Sequence, residues 1–280
     1  GIAVGMASNI CSFNLKEVCQ TTIALIRDPE VDLLETLPAP DFSTGGYLIY
    51  DADDMREIYK SGRGSFQLRG AADVNRKERI IEIREIPYTT TIEAIIDDIT
   101  DAVKKNKLRD IVNVRDETDL NGLCISVEYK SSADPDILLH QLFTQTSLQS
   151  SFSCNFNVLI NNRPKLLGVR EILNEWIEWR SECIKREAIF DIGKKEERLH
   201  LLRGLERILL DIDKAIAVIR LTETEKEVVP RLMSAFDIDE IQAEYVAEIK
   251  LRHLNREYIL KRIGDIETLE REIAELERLV

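Results

Sequence analysis

Seven tyrosines, five cysteines and three histidines are the residues of this 280-residue chain with nucleophilic or metal-ligand chemistry. Such chemistry needs partners at fixed spacing. His140, His200 and His253 each stand alone among helix-forming residues and read as structural. Cys11, Cys19, Cys124, Cys154 and Cys183 are scattered, with no CxxC pair and no histidine at ligand spacing, so they read as reduced thiols and not as a zinc site or a disulfide framework. Asp97, Asp98 and Asp101 follow helical spacing without ligand partners and read as a solvated acidic face.

The one concentration of a single charge is basic. Arg56, Lys60, Arg63, Arg69, Arg76, Lys77 and Arg79 stand against Glu57, Asp73 and Glu78, a local excess of four positive charges in a chain of net charge -13. The overall charge excludes a protein that coats phosphate with its whole surface, but it leaves room for a local patch. Gly62 and Gly64 flank Arg63 and would let the backbone approach a phosphate closely. The same residues also suit an ordinary charged hairpin surface, and both readings stand at this point. A second group, Lys104, Lys105, Lys107 and Arg109, reads as a solvated helix end whose cations complement the helix dipole.

The elements that would position these residues are of two textures. Up to about residue 167, helix-like and strand-like stretches alternate. Asn14 precedes LKEVCQTTIALI as a helix cap with Glu17 in capping-box position, and Pro29 closes that helix. Tyr47 to Tyr50 reads as a short strand and Asp51 to Lys60 as a helical connector. SGRGSFQLRGAADV and RIIEIREIP read as two paired strands. Thr91 to Asn106 has helical spacing, Ile111 to Arg115 and Gly122 to Tyr129 read as strands, and Asp134-Pro135 opens another helix. VLINNRPKLL reads as a hairpin around Asn-Asn. Ser147 to Asn157 is polar and is assigned to no element.

From Gly168 onward the pattern is helical. Trp176 and Trp179 read as packing residues at the root of a long arm, and Gly193 as a weak point or short break. In EERLHLLRGLERILLDIDKAIAVIRL, the residues Leu202, Leu205, Leu209, Ile212, Ile216 and Ile219 recur at alternating spacings of three and four. That is a coiled-coil seam with a period of ~3.5 residues. Ile259, Ile263, Ile266, Leu269, Ile273, Leu276 and Val280 repeat it, so the plainest reading is an antiparallel helical hairpin. Glu223 to Pro230 leaves the helix, and IDEIQAEYVAEIKLRHLNREYI reads as one further helix. The fold class expected is an α+β domain followed by an all-α long antiparallel coiled coil with a small helical tip. No apolar run reaches the ~20 residues a bilayer requires. Gly1 stands in an apolar run where a methionine would open a whole protein, which suggests a piece of a longer one.

Three stretches in order, GIAVGMASNI, then LPAPDFSTGG with IYKSGRGSFQLRG and EIREIPY, then LLGVREILNEWIEWR, resemble the A subunit of bacterial type IIA DNA topoisomerases. The resemblance runs on through DIDKAIAVIR and FDIDEIQAEYVAEIKLRHL and covers essentially the whole chain. It implies that residues 1–167 form a tower domain, with residues 1–10 the end of a winged-helix region. Residues 168–280 would form the coiled-coil arm, with an exit-gate tip at about 222–257. It implies an ATP-dependent enzyme that cleaves, passes and religates double-stranded DNA. The family nucleophile is a tyrosine following an arginine upstream of GIAVGMA, and Tyr47, Tyr50, Tyr59, Tyr88, Tyr129, Tyr245 and Tyr258 all lie outside that motif, so this stretch alone is expected to be inactive.

By the same resemblance Ile2 matches a residue that wedges between base steps of bent DNA. Ile2, Asn9, Lys60, Arg63 and Arg69 are the DNA-binding residues expected, and Ile241, Tyr245, Ile249 and Leu254 the contacts of a homodimer at the tip. After Asn9 the family usually has prolines and a histidine, where this chain has Cys11, Ser12 and Phe13. No cofactor or metal is expected here, since ATP and Mg²⁺ would belong to a B subunit in an A2B2 assembly. The partners expected are double-stranded DNA, a second copy and that B subunit; the place expected is the cytoplasm, with no membrane contact. The rival reading is a non-enzymatic coiled-coil scaffold or chaperone-like protein with an α+β head, which explains the heptads and the acidic charge but not the ordered match along residues 1–167.

Overall fold

The computed structural model describes residues 7–250, 253 and 255–280. Its internal contacts divide the chain into Gly1–Ile177 and Glu178–Val280.

The first unit is α+β and has two cores. Helix α1 (Leu15–Arg27) starts at Asn14, whose side chain accepts from the Lys16 amide. The cap is thus a bond to the second helical residue, in place of the capping box read around Glu17. Strand β1 (Tyr47–Ile49), helix α2 (Ala52–Ser61) and strand β2 (Arg63–Arg69) follow. Strand β7 (Gln149–Asn155) completes an antiparallel sheet of order β1-β2-β7. Phe66 lies opposite Phe152 in the β2–β7 register, with the rings stacked at 5.4 Å. Together with Leu68, Met55, Ile58, Leu25, Leu37 and Phe156 they form the first core. The polar stretch 147–157, assigned to nothing from its composition, is therefore a strand; its Ser-Phe-Ser-Cys-Asn alternation puts Phe152 and Cys154 inward.

SGRGSFQLRGAADV does not form one strand paired with RIIEIREIP. It breaks at Gly70 into β2 and β3 (Ala71–Asn75), and only β3 pairs with β4 (Ile80–Glu85). Gly70 is buried between the Glu85 carbonyl and Leu148, where a Cβ would stand 2.6 Å from each. The second sheet runs β3-β4-β6-β5, with β5 (Ile111–Asp116) and β6 (Ile125–Tyr129). Helices α3 (Ile92–Lys104) and α4 (Pro135–Gln145) cover it. Ile81, Ile83, Ile95, Ile99, Ile125, Val127, Leu138 and Leu142 make this second core. The hairpin β8 (Asn157–Ile160) and β9 (Arg163–Leu166) turns at Asn161 and Asn162, with φ of 52° and 61°. Two left-handed residues in succession are what a two-residue hairpin turn needs, and asparagine tolerates them best after glycine.

Helix α5 (Val169–Leu209) runs unbroken through Gly193, contrary to the break expected there. Ile172, Leu173 and Ile177 pack on the first core, which ends with them. Trp176 and Trp179, read as packing residues, are instead 49% and 57% exposed.

In the second unit the helix ends after Leu209, and Asp211 caps α6 (Ile212–Arg220) through the Lys214 amide. An aspartate that can satisfy a first-turn amide favours a new start over continuation. The seam read from Leu202 to Ile219 therefore stops short: Ile216 and Ile219 are 37% and 41% exposed, and Ala215 is buried in their place. Helices α7 (Val228–Phe236) and α8 (Glu240–Ala247) form the tip. Pro230 lies inside the first turn of α7, where its missing N–H is not needed. The single helix expected from Ile238 onward is two pieces, α8 and α9 (Arg256–Glu277), the second capped by Asn255. Leu199, Leu202, Leu205 and Ile208 of α5 share a core with Ile266, Leu269 and Ile273 of α9. Lys195 pairs with Glu272 and Arg198 with Asp265, so one helix descends in number as the other rises. Among the described residues, the antiparallel coiled coil is thus formed by α5 and α9.

Candidate functional site

The β1-β2-β7 sheet buries one face and leaves the other outward. Strand alternation puts Tyr47 and Ile49 of β1, Arg63, Ser65, Gln67 and Arg69 of β2, and Gln149, Ser151, Ser153 and Asn155 of β7 on that outer face. None of these register positions is an acid, in a chain with 51 acidic residues. Hydroxyls, amides and two guanidinium groups on a flat surface can hydrogen-bond an anionic backbone without repelling it.

At one end of this face a segment outside the strands pairs with the edge strand β7. Asn9 and Asn155 form an isolated antiparallel bridge with N···O distances of 2.8 and 2.9 Å. Asn9 Nδ2 donates to the Ser153 carbonyl at 2.6 Å. Asn155 and Asn157 donate their side-chain amides to the Ala7 carbonyl at 2.9 and 2.5 Å, and the Ser8 hydroxyl donates to the Asn157 carbonyl. Arg63 is the register partner of Asn155 on its other side. The row Asn9, Asn155, Arg63 thus runs from the bridged segment across β7 to β2.

Of the expected DNA-binding residues, the structure brings Asn9 and Arg63 together on this row. Arg69 shares the face at the far end of β2, about 20 Å along at ~3.3 Å per residue. It is held there, with Nε donating to Gln149 Oε1 at 2.8 Å and the guanidinium 4.6 Å over the Phe143 ring. Lys60 is exposed at the end of α2 and lines a cleft with Arg56, Gly168 and Arg170. Ile2 lies outside the described residues. Asn155 and the serines of β7 were missed by sequence reading, because serine and asparagine in a strand carry no charge signal.

Two other basic residues of the window are tied to acids. Arg56 pairs with Asp32 at 3.2 Å, and that hydrogen bond and charge raise its pKa; Arg76 pairs with Asp136 at 2.7 Å and is raised for the same reasons. The glycines beside Arg63 also have a local cause. Gly62 is the left-handed C-cap of α2 with φ 70°, against the Leu167 carbonyl. Gly64 has φ 146°, and a Cβ there would stand 2.5 Å from Ile58.

At the tip, Ile241 is 64% exposed on α8. Tyr245 and Ile249 are half-buried against the core of their own unit, and Leu254 lies outside the described residues. Leu221 at the end of α6 is 75% exposed, beside a groove lined by Val218, Pro230 and Ala235. His200 Nε2 lies 2.5 Å from Asp239 Oδ2. The Asp239 carboxyl sits below its usual range, first through the Gln242 amide it accepts as a helix cap and then through His200. Among the described residues no three His, Cys, Asp or Glu side chains gather as metal ligands, and no helix is long and apolar enough to cross a membrane.

Comparison with known proteins gives one consistent result. The family of DNA gyrase/topoisomerase IV A subunits matches residues 1–280. The DNA gyrase A subunit of Leptospira biflexa is 35% identical over 286 residues, covering 100% of this chain and 34% of that protein. A probable chloroplastic/mitochondrial DNA gyrase A subunit of Oryza sativa is 37% identical over 288 residues, covering 100% of this chain and 31% of that protein. The DNA gyrase A subunit of a Synechocystis strain is 36% identical over 290 residues, covering 100% of this chain and 34% of that protein. The chain therefore spans about a third of the length of the relatives it matches. An α+β unit followed by a long helix and its antiparallel return, matched along its full length, belongs to the DNA gyrase/topoisomerase IV A-subunit family.

Proposed function

We propose that this chain is the DNA-bracing and exit-gate part of the A subunit of a type II DNA topoisomerase, which cleaves, passes and religates double-stranded DNA in an ATP-dependent cycle. The observation that carries the reading is the acid-free outer face of the β1-β2-β7 sheet, with the Asn9–Asn155–Arg63 row at one end, in a chain of net charge -13. On this reading Arg63 neutralises a backbone phosphate of the duplex, and Asn9 and Ser153 stand beside it. Arg69 supports Gln149 and Phe143 and contributes less. Strand cleavage by a tyrosine oxygen belongs to residues outside this stretch, so the stretch alone is inactive. ATP and Mg²⁺ are held by the B subunit of an A2B2 complex in the cytoplasm.

The exposed apolar residues of the helical unit support a second copy meeting this one at the tip, with Ile241 a contact. Tyr245 and Ile249 then act by holding α8 in place.

The test of the sheet face is Arg63→Glu in the full-length protein with its B subunit, bound to duplex DNA across a range of salt. Weaker binding, with the slope of log K against log salt smaller by about one, is expected. An unchanged slope assigns Arg63 to solvent. Light scattering of this chain at rising concentration tests the tip: dimer is expected, and monomer throughout overturns the gate.

A further inference from the structure

The β3-β4-β6-β5 sheet separates its charges end from end. At one end the β3–β4 turn, the end of β6 and the start of β5 meet: the Tyr129 amide donates to the Arg79 carbonyl at 3.0 Å, and the Lys130 amide to the Asp110 carbonyl at 2.9 Å. The C-terminus of α3 is anchored at the same end by Leu108, which is fully buried in the second core. Arg109 Nε donates back to the Asn106 carbonyl at 3.0 Å, and Lys130 Nζ to the Arg109 carbonyl at 2.5 Å. Residues 76–79, 104–110 and 130, which form this rim, carry eight cations and two acids. The opposite end, where β5 turns toward β6, holds exposed Asp116, Glu117 and Asp119, and Arg115 there is paired with Glu117 and Glu128.

Within the basic rim, Arg76 is tied to Asp136 and Lys104 to Asp101. Lys77, Arg79, Lys105 and Lys107 are exposed and have no acidic partner among the described residues. Arg79 is also left-handed, with φ 59°. Glycine or asparagine takes that conformation with less strain, so the turn by itself does not explain an arginine. No exposed aromatic ring stands among these cations. Protein partners are held chiefly through aromatic and other large anchors, whereas a phosphate backbone needs only positive charge.

We propose that this rim is a second phosphate-contacting surface for duplex DNA, separate from the Asn9–Asn155–Arg63 row. It rests on the reading that the chain binds a duplex at that row. Strands β2 and β3 follow one another through Gly70, so the chain from Arg63 to Lys77 spans at most about 50 Å. That is about fifteen base pairs at ~3.4 Å each, so one duplex can reach both surfaces. The acidic end of the sheet repels the same backbone and confines the contact to the basic rim.

The test uses the full-length protein with its B subunit, bound across a range of salt to a duplex several times that length. Lys105→Glu combined with Lys107→Glu is expected to shrink the slope of log K against log salt by about two. Arg79→Gly removes a cation and relaxes the turn, so a slope smaller by about one is expected with a melting temperature unchanged or raised. Unchanged slopes in both overturn the inference. Arg63→Glu, measured alongside, separates the two readings. If it alone changes the slope, the rim faces solvent and the sheet-face reading stands; if the rim variants alone change it, the rim holds DNA and the sheet face does not; if none does, both fall. Lysine acetylation read by mass needs no variant: Lys77, Lys105 and Lys107 are expected to be protected when DNA is bound. Equal labelling with and without DNA overturns the inference, and so does protection by the B subunit alone, which would assign the rim to an acidic protein partner.

Discussion

Gly204 of α5 lies against the side chain of Gln242 of α8: a Cβ added to the glycine would stand 2.6 Å from Gln242 Cβ. Gln242 is itself fixed, donating to the His200 carbonyl at 2.7 Å and accepting from the Asp239 amide at 3.2 Å in a capping box. The glycine is therefore a packing requirement of the tip, inside a helix that would otherwise favour alanine.

Gly193, in the same helix, is its control, since a Cβ there meets nothing within 4 Å among the described residues. Gly193→Ala is expected to stabilise by about 0.5–1 kcal/mol from helix propensity. Gly204→Ala gains the same propensity but incurs an overpacking cost of about 1–3 kcal/mol, for a net loss of about 1 kcal/mol. Thermal denaturation of the two variants, read by circular dichroism, should move in opposite directions.

The break at Leu209 makes a contrast that a continuous heptad seam would not. Leu205 is fully buried, and Leu205→Ala is expected to cost about 2–5 kcal/mol. Ile219, at a corresponding seam position by spacing but 41% exposed, should cost less than about 1.5 kcal/mol on the same truncation. Equal losses in urea denaturation would restore the continuous seam.

Lys195 and Glu272 lie 2.5 Å apart across the α5–α9 seam. Glu272 is held below the usual glutamate range, first by the hydrogen bond from Lys195 and then by its charge. Its folded-state value lies below the unfolded one, so the contribution is complete above the unfolded value and is lost as pH falls through the folded one. Glu272→Gln should lower stability in the neutral region, with the difference from the unsubstituted chain shrinking as pH falls below about 5.

Arg63 and Arg69 share a sheet face and should behave oppositely. Arg69→Ala loses a cation–π contact and a hydrogen bond and is expected to lower stability by about 1–2 kcal/mol. Arg63→Ala, exposed at the strand start, should leave the melting temperature within error while weakening DNA binding. Both readouts come from the same purified variants.

How much of this was legible in the sequence follows from what each residue type can signal. Asn161-Asn162 between apolar runs, Asp134-Pro135 and the heptads up to Leu209 state local geometry directly, and each element appears. The pairing of β2 with β7 was not legible, because eighty or so residues of chain intervene and the outward positions of β7 are serines and amides. Spacing alone also could not distinguish Ile219 from Leu205, since Asp211 reads equally as a helix surface residue or a cap. Within the candidate site, Arg63 announced itself by charge, whereas Asn155, the residue that joins it to Asn9, is recognisable only once β2, β7 and the Asn9 segment are side by side.

The Asn9–Asn155 bridge has a consequence for handling the protein. It covers the hydrogen-bonding groups at one end of β7, a strand whose other side is already occupied by β2. A chain trimmed past Asn9 would leave that stretch of backbone open beside exposed serines, with no lysine or proline to deter a neighbour. Such an open edge recruits strands from other molecules, and the trimmed chain should precipitate where the longer one stays dispersed.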